Sequence, residues 1–361
     1  MNYQNWIGVN DPRYGYGSML KGFVDHAPDG VTLNSKASVE VYMGVPYVKG
    51  SWLKDAHRVC FTMWETDKLP ADFIRWLGQY DQILVTCEHN VEVFSRHHDV
   101  VTSVPLGVDQ TIWRPTREPV DGPFRFHAGG SLWGRKGLDV VVEAFRRLNL
   151  KNAELHLKVA PHAKDVPTRP MPANVVLHRQ WMDLDTQVDW FQQGHVYVAP
   201  ARGEGFGLMP LQAISCGIPT ILSDTSGQKQ FAHLATGVIP TQKTKSPLGG
   251  FWDEPDLRGL MELMRDHYDR WDYLRQQAIA TVPDVDEFSW KRAAEKLVAS
   301  VPVGKLLKHN KTVEPDVMVK VTFAKNVVAD IGKHHYRFQK GETAMITEGV
   351  HQVLYDAGML E

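Results

Sequence analysis

Several things are scarce in this 361-residue chain, and each scarcity excludes a class of protein. There are three cysteines, Cys60, Cys87 and Cys216, all in apolar surroundings. So few, and in odd number, do not make a disulfide framework; they read as reduced, structural residues of an intracellular protein. Neither charge sign dominates: 40 Lys and Arg stand against 42 Asp and Glu, a formal net charge of −2. A near-neutral chain carries no global basic footprint for nucleic acid. No apolar run approaches the roughly 18–20 residues of a membrane span. The opening stretch, MNYQNWIGVNDPRYG, holds neither the charged start nor the apolar segment of a secretory leader. The chain therefore reads as soluble and cytoplasmic. Histidine is plentiful, at 16 residues, but HExxH and CxxC spacings are missing. His97–His98 and His334–His335 are sequence neighbours, which share neither a helix face nor a strand face. They read as surface or packing residues, and no metal site is expected.

What is present is a long alternation of short β-branched runs and apolar-periodic segments. A length of 361 residues with 43% hydrophobic content suits two domains and an appendage. Residues 1–112 read as a first α/β unit, with strands at NWIGVN, VTLNS, SVEVYMG, RVCFTMW and DQILVT and helices at ADFIRWLGQY and EHNVEVFSRHH. The Pro-rich RPTREPVDGP marks a boundary. Residues 113–302 repeat the pattern through FRFHAGG, ELHLKVA, NVVLHRQ, HVYVAP and IPTILSD, and end in the amphipathic FSWKRAAEKLVASV. Repeated β-α-β units predict parallel, doubly wound sheets, with ligands beyond the carboxyl ends of the strands. Residues 315–361 change character and read as a small α+β module of strands and a terminal helix.

Two stretches carry chemistry. In ARGEGFGLMPLQAISCGIPTILSD, a strand delivers a Gly-rich loop and a helix expected to begin near Leu208. Pro210 is tolerated in its first turn, Gly217 fits a left-handed cap, and Pro219 blocks continuation. The exposed N–H groups at such a helix start suit a phosphate. Gly205 and Gly207 permit close backbone approach. Glu204 and Gln212 flank that start as hydroxyl-binding side chains. A phosphate cradle with two hydroxyl acceptors suits a nucleotide sugar, although the loop alone also reads as a tight turn feeding a core helix. In AGGSLWGRKGLDVVVEAF, another strand ends in glycines, Gly129 and Gly130, and Arg135 and Lys136 sit where cations neutralise a diphosphate. A solvated basic pair at a loop is the plainer reading. Leu138, Val141, Val142 and Phe145 mark the buried side of the helix that follows. Near the start of the chain, Gly15 and Gly17 in DPRYGYGSM read as a phosphate-facing loop or as a helix cap.

GGSLWGRKGLDVVVEAF followed by EGFGLMPLQAISCGIPTILSD resembles the donor-binding half of retaining glycosyltransferases of the GT-B fold, family 4 type. TMWETDKLP and VPLGVDQTIWRP resemble its first half and its crossover, so the likeness spans about residues 5–302. The resemblance implies two Rossmann-like domains facing a cleft. It also implies a nucleoside-diphosphate sugar donor, UDP- or GDP-linked, a hexosyl or pentosyl transfer with retention, and no required metal. By the same resemblance, Glu204 contacts the donor sugar. The backbone of Gly205, Phe206, Gly207 and Leu208 holds sugar and phosphate, with Gly130 and Ser131 on the facing loop. Lys136, with Arg135 as its helper, binds the diphosphate. Gln212 binds the ribose from the position of the family's second Glu, and Gly15, Gly17 and Glu65 line the acceptor and phosphate side. Two positions depart from the family pattern: Gln212 replaces that Glu, and Ser131 stands where an Arg is common. They motivate a second reading, a weak or inactive scaffold that keeps the fold. The segment MVKVTFAKNVVADIGKHHYRFQKGETAMITEGVHQVLYDAGMLE resembles small modules of bacteriophage structural proteins. That resemblance implies a phage enzyme in the host cytoplasm, acting on a virion protein, a glycan or modified DNA.

Overall fold

In the computed structural model the described residues are 1–9, 11, 15–46, 53, 55–116, 122–130, 134–161 and 171–307, then 318–322, 327–331, 334–339, 343–347 and 354. The first unit runs β1 (Asn2–Gly8), α1 (Gly15–Asp25), β2 (Val31–Leu33), β3 (Val39–Met43), β4 (His57–Thr62), α2 (Ala71–Leu77), β5 (Gln82–Val85), α3 (Glu88–Phe94) and β6 (Val101–Ser103). Its sheet is parallel in the order β2-β1-β3-β4-β5-β6. The second unit runs β7 (Phe124–Gly130), α4 (Leu138–Leu148), β8 (Ala153–Val159), β9 (Val175–His178), α5 (Leu184–Gln192), β10 (Val196–Ala199), α6 (Leu208–Ser215), β11 (Thr220–Ser223) and β12 (Gly237–Ile239). Its sheet order is β12-β11-β10-β7-β8-β9, again parallel. The order reverses between β7 and β10, which is the topological switch point where a doubly wound sheet opens a crevice. The expected α/β architecture, two doubly wound parallel sheets, is the one observed.

Burial explains why these runs become strands. β3, β5, β10 and β11 are buried along their whole lengths, as both-face-covered parallel strands must be. In α4 the buried side is Leu138, Val140, Val141, Ala144 and Phe145, so the expected stripe shifts by one position and Val142 is half-buried. α6 begins at Leu208 and closes in a Schellman motif. Ile218 N–H donates to Ala213 O (3.1 Å) and Gly217 N–H to Ile214 O (2.9 Å), with Gly217 at φ +66°.

Three arrangements were not anticipated. First, the chain continues as an antiparallel hairpin, β13 (Thr241–Lys245) and β14 (Phe251–Pro255), before α7 (Leu257–Asp269) and α8 (Trp271–Thr281). Second, α9 (Trp290–Ser300), capped by Ser289, returns to the first sheet. Its Trp290 ring lies edge-on to Phe23 of α1 at 5.3 Å, over Gly22, where any Cβ would collide with the indole. Third, the segment after α9 ties to the first unit. Tyr3 N–H donates to Gly304 O (3.1 Å) and Leu307 N–H to Lys36 O (2.9 Å). The end of residues 113–302 is thus spatially part of the first unit. In the last segment β15 (Met318–Thr322) pairs with β18 (Thr343–Thr347), and β16 (Val327–Ile331) with β17 (His334–Phe338). The terminal helix expected there lies outside the described residues. Among the described residues, no helix is long and apolar enough to cross a membrane.

Candidate functional site

The loops after β7 and β10, the two strands that flank the switch point, meet in front of the second sheet. Lys136 Nζ forms an ion pair with Glu204 Oε1, and Arg135 Nη1 lies 3.5 Å from Glu204 Oε2. Arg135 Nη1 also donates to Gly203 O (2.8 Å). Gly130 makes this possible: a Cβ there would lie 2.8 Å from Lys136 Cβ and closer still to its Cγ, so the lysine stem crosses a bare backbone. Gly137 caps α4 at φ +67°, pressed so tightly on Pro200 O that no Cβ fits.

Electrostatics keeps the cluster charged. Burial by itself pushes the Glu204 carboxyl up, yet Lys136 and Arg135 outweigh it and hold the group below the usual range. Burial likewise works against the Arg135 guanidinium, and Glu65 and Glu204 reverse it, so Arg135 is held above its ordinary value. Burial pushes the Lys136 ammonium down, offset in part by Glu204. The Glu204 backbone is also pinned: its N–H donates to Ser226 Oγ (2.8 Å), and Gly227 N–H donates to its carbonyl (3.0 Å).

The first unit closes the other side. Gly205 abuts Met63, and a Cβ there would lie 2.9 Å from Met63 Cβ and closer to its sulfur. Thr86 Oγ1 donates to Gly205 O, and Gln230 Nε2 donates to Thr86 O (2.9 Å). Phe206 is buried against Phe231 (5.5 Å between rings), and Gly207 caps α6 at φ +108°. Gln212, on the second turn of α6, has its Oε1 buried with no hydrogen-bond partner among the described residues. A buried amide oxygen left without a donor is costly, so this atom is ready to accept one.

The residues singled out in the sequence divide as follows. Glu204, Lys136, Arg135, Gly130, Gly205, Phe206, Gly207, Leu208 and Gln212 lie in one contiguous region. Glu65 joins it from the first unit, with Oε1 3.4 Å from Arg135 Nη1. Gly15 starts α1 in open space. Gly17 is packed so closely on Asp11 O that a Cβ there would collide with it. Their neighbour Tyr16 reaches Thr62 Oγ1 (3.1 Å), which places the start of α1 near Met63. Ser131 lies outside the described residues.

Sequence reasoning missed Arg202, which is 9% exposed. It forks onto Asp139 (2.7 and 2.8 Å) and onto Glu254 (2.6 and 2.7 Å), and donates to Gly134 O. Its own N–H donates to Arg135 O (2.8 Å), and its carbonyl accepts from Asp253 N–H (2.9 Å). Both cation-bearing loops and the β13–β14 hairpin are therefore stitched together at one guanidinium. The only signal in the sequence was an Arg inside the Gly-rich loop, with nothing to name its partners. The turn end of the hairpin docks on the first unit, where Phe251 N–H donates to Asp67 Oδ1 (2.7 Å) and Asp67 N–H to Phe251 O (3.2 Å).

Against known proteins, residues 124–246 match the family model described as Glycosyl transferases group 1. The chain is 26% identical over 194 residues to a D-inositol 3-phosphate glycosyltransferase of Arthrobacter sp. strain FB24, covering 47% of this chain and 46% of that protein. It is also 26% identical over 173 residues to the lipopolysaccharide core biosynthesis mannosyltransferase LpcC of Rhizobium leguminosarum bv. viciae, covering 42% of this chain and 47% of that one. The chain thus spans about half the length of the curated relatives it matches. Among solved structures, WaaG, a glycosyltransferase involved in lipopolysaccharide biosynthesis, superposes with a TM-score of 0.55 at 15% identity, over 82% of this chain and 98% of that one. A UDP-forming trehalose-phosphate synthase from Burkholderia xenovorans superposes at 0.56 and 14% identity, over 73% of each chain. At such identities the superpositions establish the shared fold.

Proposed function

We propose, for a chain whose residues 124–246 match the family model of group 1 glycosyl transferases, that the whole chain moves a sugar from a nucleoside-diphosphate sugar to an acceptor hydroxyl with retention of configuration. The observation that carries this reading is the meeting of Lys136, Arg135 and Glu204 at the switch point; on α6, which follows the Glu204 loop, the Gln212 amide oxygen has no donor among the described residues. The two cations and the start of α6 neutralise the departing diphosphate, and they are preorganised away from bulk water. Glu204 moves from Lys136 to the sugar hydroxyls when the donor enters. Gln212 accepts from a ribose hydroxyl through its free oxygen, without the charge a carboxylate would add. The missing side chain of Gly205 lets Met63 of the first unit pack on this loop, and the N–H groups at the start of α6 receive the phosphate. Closure of the first unit over the loop limits hydrolysis of the donor. The leaving phosphate takes the acceptor proton, so the reading assigns no protein general base and requires no resident metal.

The donor is UDP- or GDP-linked and carries a hexose or pentose. The names of the similar proteins favour a glycan or polyol hydroxyl as acceptor over a virion protein or modified DNA. The test is release of nucleoside diphosphate from a panel of UDP- and GDP-sugars with saccharide and polyol acceptors, followed by NMR of the product's anomeric centre. Release with one donor, and a product of unchanged anomeric configuration, is the expected result. Absence of release with every donor, or an inverted product, refutes the reading as stated.

A further inference from the structure

The loop after β4 carries two carboxylates, Glu65 and Asp67, and each grips the second unit in a different way. Asp67 binds backbone: its Oδ1 accepts from Phe251 N–H at 2.7 Å, and its own N–H donates to Phe251 O at 3.2 Å. Its peptide carbonyl further accepts from Arg96 Nη1 (2.9 Å). Glu65 binds charge: its Oε1 lies 3.4 Å from Arg135 Nη1, and its side chain is 20% exposed. The base of this loop is rigid. Trp64 N–H donates to Asn90 Oδ1 (2.6 Å), Asn90 Nδ2 returns a bond to Trp64 O (2.9 Å), and Trp64 Nε1 donates to Thr66 Oγ1 and Lys68 O (both 2.8 Å). Gly203 fits beneath Glu65 only because it has no Cβ; one would lie 3.2 Å from Glu65 Cβ and closer to its carbonyl oxygen. The Glu65 carboxylate is therefore presented to Arg135 by a fixed backbone.

Arg135 and Lys136 are thus already paired, with Glu65 of one unit and Glu204 of the other. A diphosphate and a carboxylate compete for the same guanidinium, because both accept from the same donors. A second anion brought beside an ionised carboxylate in a partly buried site is also repelled by it.

We propose that Glu65 is an interdomain latch on the donor site: it occupies Arg135 when the site is empty, and a nucleoside diphosphate must displace it to bind. This deepens the function proposed above and rests on it. Displacement breaks the Glu65–Arg135 tie while the Asp67–Phe251 backbone tie persists, so the site opens to the donor without separation of the two units. Glu65 and Glu204 both face Arg135 Nη1 (3.4 and 3.5 Å), and removing the Glu65 charge leaves the cations with one competitor instead of two.

The test is isothermal titration of the full-length chain with UDP and GDP, on wild type, Glu65→Gln and Asp67→Ala. Glu65→Gln keeps the size and shape of the side chain but removes the charge. The expected result is that Glu65→Gln binds the preferred diphosphate about tenfold more tightly than wild type, with the gain shrinking at high salt. Asp67→Ala, which breaks an interdomain contact without touching Arg135, gives no tightening. Unchanged or weaker binding by Glu65→Gln overturns the latch. Equal tightening in both variants also overturns it, because looser domain packing, not competition, would then be the cause. If wild type binds neither diphosphate, the proposed function itself fails, and the latch fails with it. Melting curves without nucleotide confirm that each variant is folded before it is titrated.

Discussion

Replacement of Arg202 by alanine is the perturbation whose outcome follows most fully from geometry. The guanidinium makes five side-chain hydrogen bonds, four to Asp139 and Glu254 and one to Gly134 O. Removing one partner of a buried ion pair costs roughly 3–5 kcal/mol, because the other partner stays behind unpaired. Here the stranded carboxylates are not sealed in: Asp139 is 44% and Glu254 29% exposed, so water recovers much of their solvation. That discount brings the expected loss to about 2–3 kcal/mol. For domains of this size, 1 kcal/mol corresponds to about 2–4 °C, so the melting temperature should fall by roughly 5–10 °C. Arg202→Lys keeps the charge but not the fork, and should recover less than half of the loss. The assay is thermal unfolding by circular dichroism, paired with titration of the diphosphate that wild type prefers. Affinity should weaken along with stability, since the loop holding Arg135 is fastened through Arg202. An Arg202→Ala protein that melts within about 1 °C of wild type would show that this hub holds nothing together.

Other consequences can be checked in the same preparations. Gly130→Ala puts a methyl group where the Lys136 stem runs, so diphosphate affinity should drop at least about tenfold, with little change in melting temperature. Normal binding by that variant would remove Lys136 from the account. Trp290→Ala empties the seat between α9, Phe23 and Gly22, and urea unfolding should register a loss of about 3–5 kcal/mol; a loss below about 1 kcal/mol would mean that α9 does not anchor the first unit. The chain should also be acid-sensitive. Burial pushes His127, His178 and His195 down, His195 to about 4. In the unfolded chain these imidazoles take protons near pH 6.5, so below that pH the unfolded state binds more protons and stability falls. Urea midpoints should be flat above about pH 7 and decline steadily from about pH 6.5 toward 4. A midpoint that rises as the pH falls over that range would contradict the burial of these three histidines.

Features governed by backbone chemistry were legible in the sequence, and features governed by distant partners were not. The α6 start at Leu208 and its end at Gly217 follow from Pro210, Gly217 and Pro219, residues whose backbone restrictions act locally. The two loops that meet at the switch point were readable because each follows an apolar strand and ends in glycine. Glu204 and Lys136 were both read as donor-site residues, yet nothing local said that they pair, or that Glu65 would reach Arg135 from the other unit. Arg202 gathers carboxylates from positions 139 and 254, and no periodicity links those numbers. The hairpin β13–β14 has a weak apolar pattern, since most of TQKTK is solvated, and its role depends on Asp67, far away in the chain. α9 has an amphipathic face that could serve either sheet; the missing side chains of Gly22 and Gly107, which make room for Trp290, decide which one it covers.

If the loops after β7 and β10 form the proposed nucleoside-diphosphate site, a diphosphate stabilises the chain through Lys136. The measurement that tests it most directly is the melting temperature of wild type and Lys136→Ala with UDP, GDP, ADP, CDP and TDP. A ligand at 100 times its dissociation constant adds about 2.7 kcal/mol, a shift of several degrees. Such a shift is expected for one diphosphate, with UDP or GDP foremost, together with its loss in Lys136→Ala. No shift with any of the five, or an equal shift in Lys136→Ala, would contradict it.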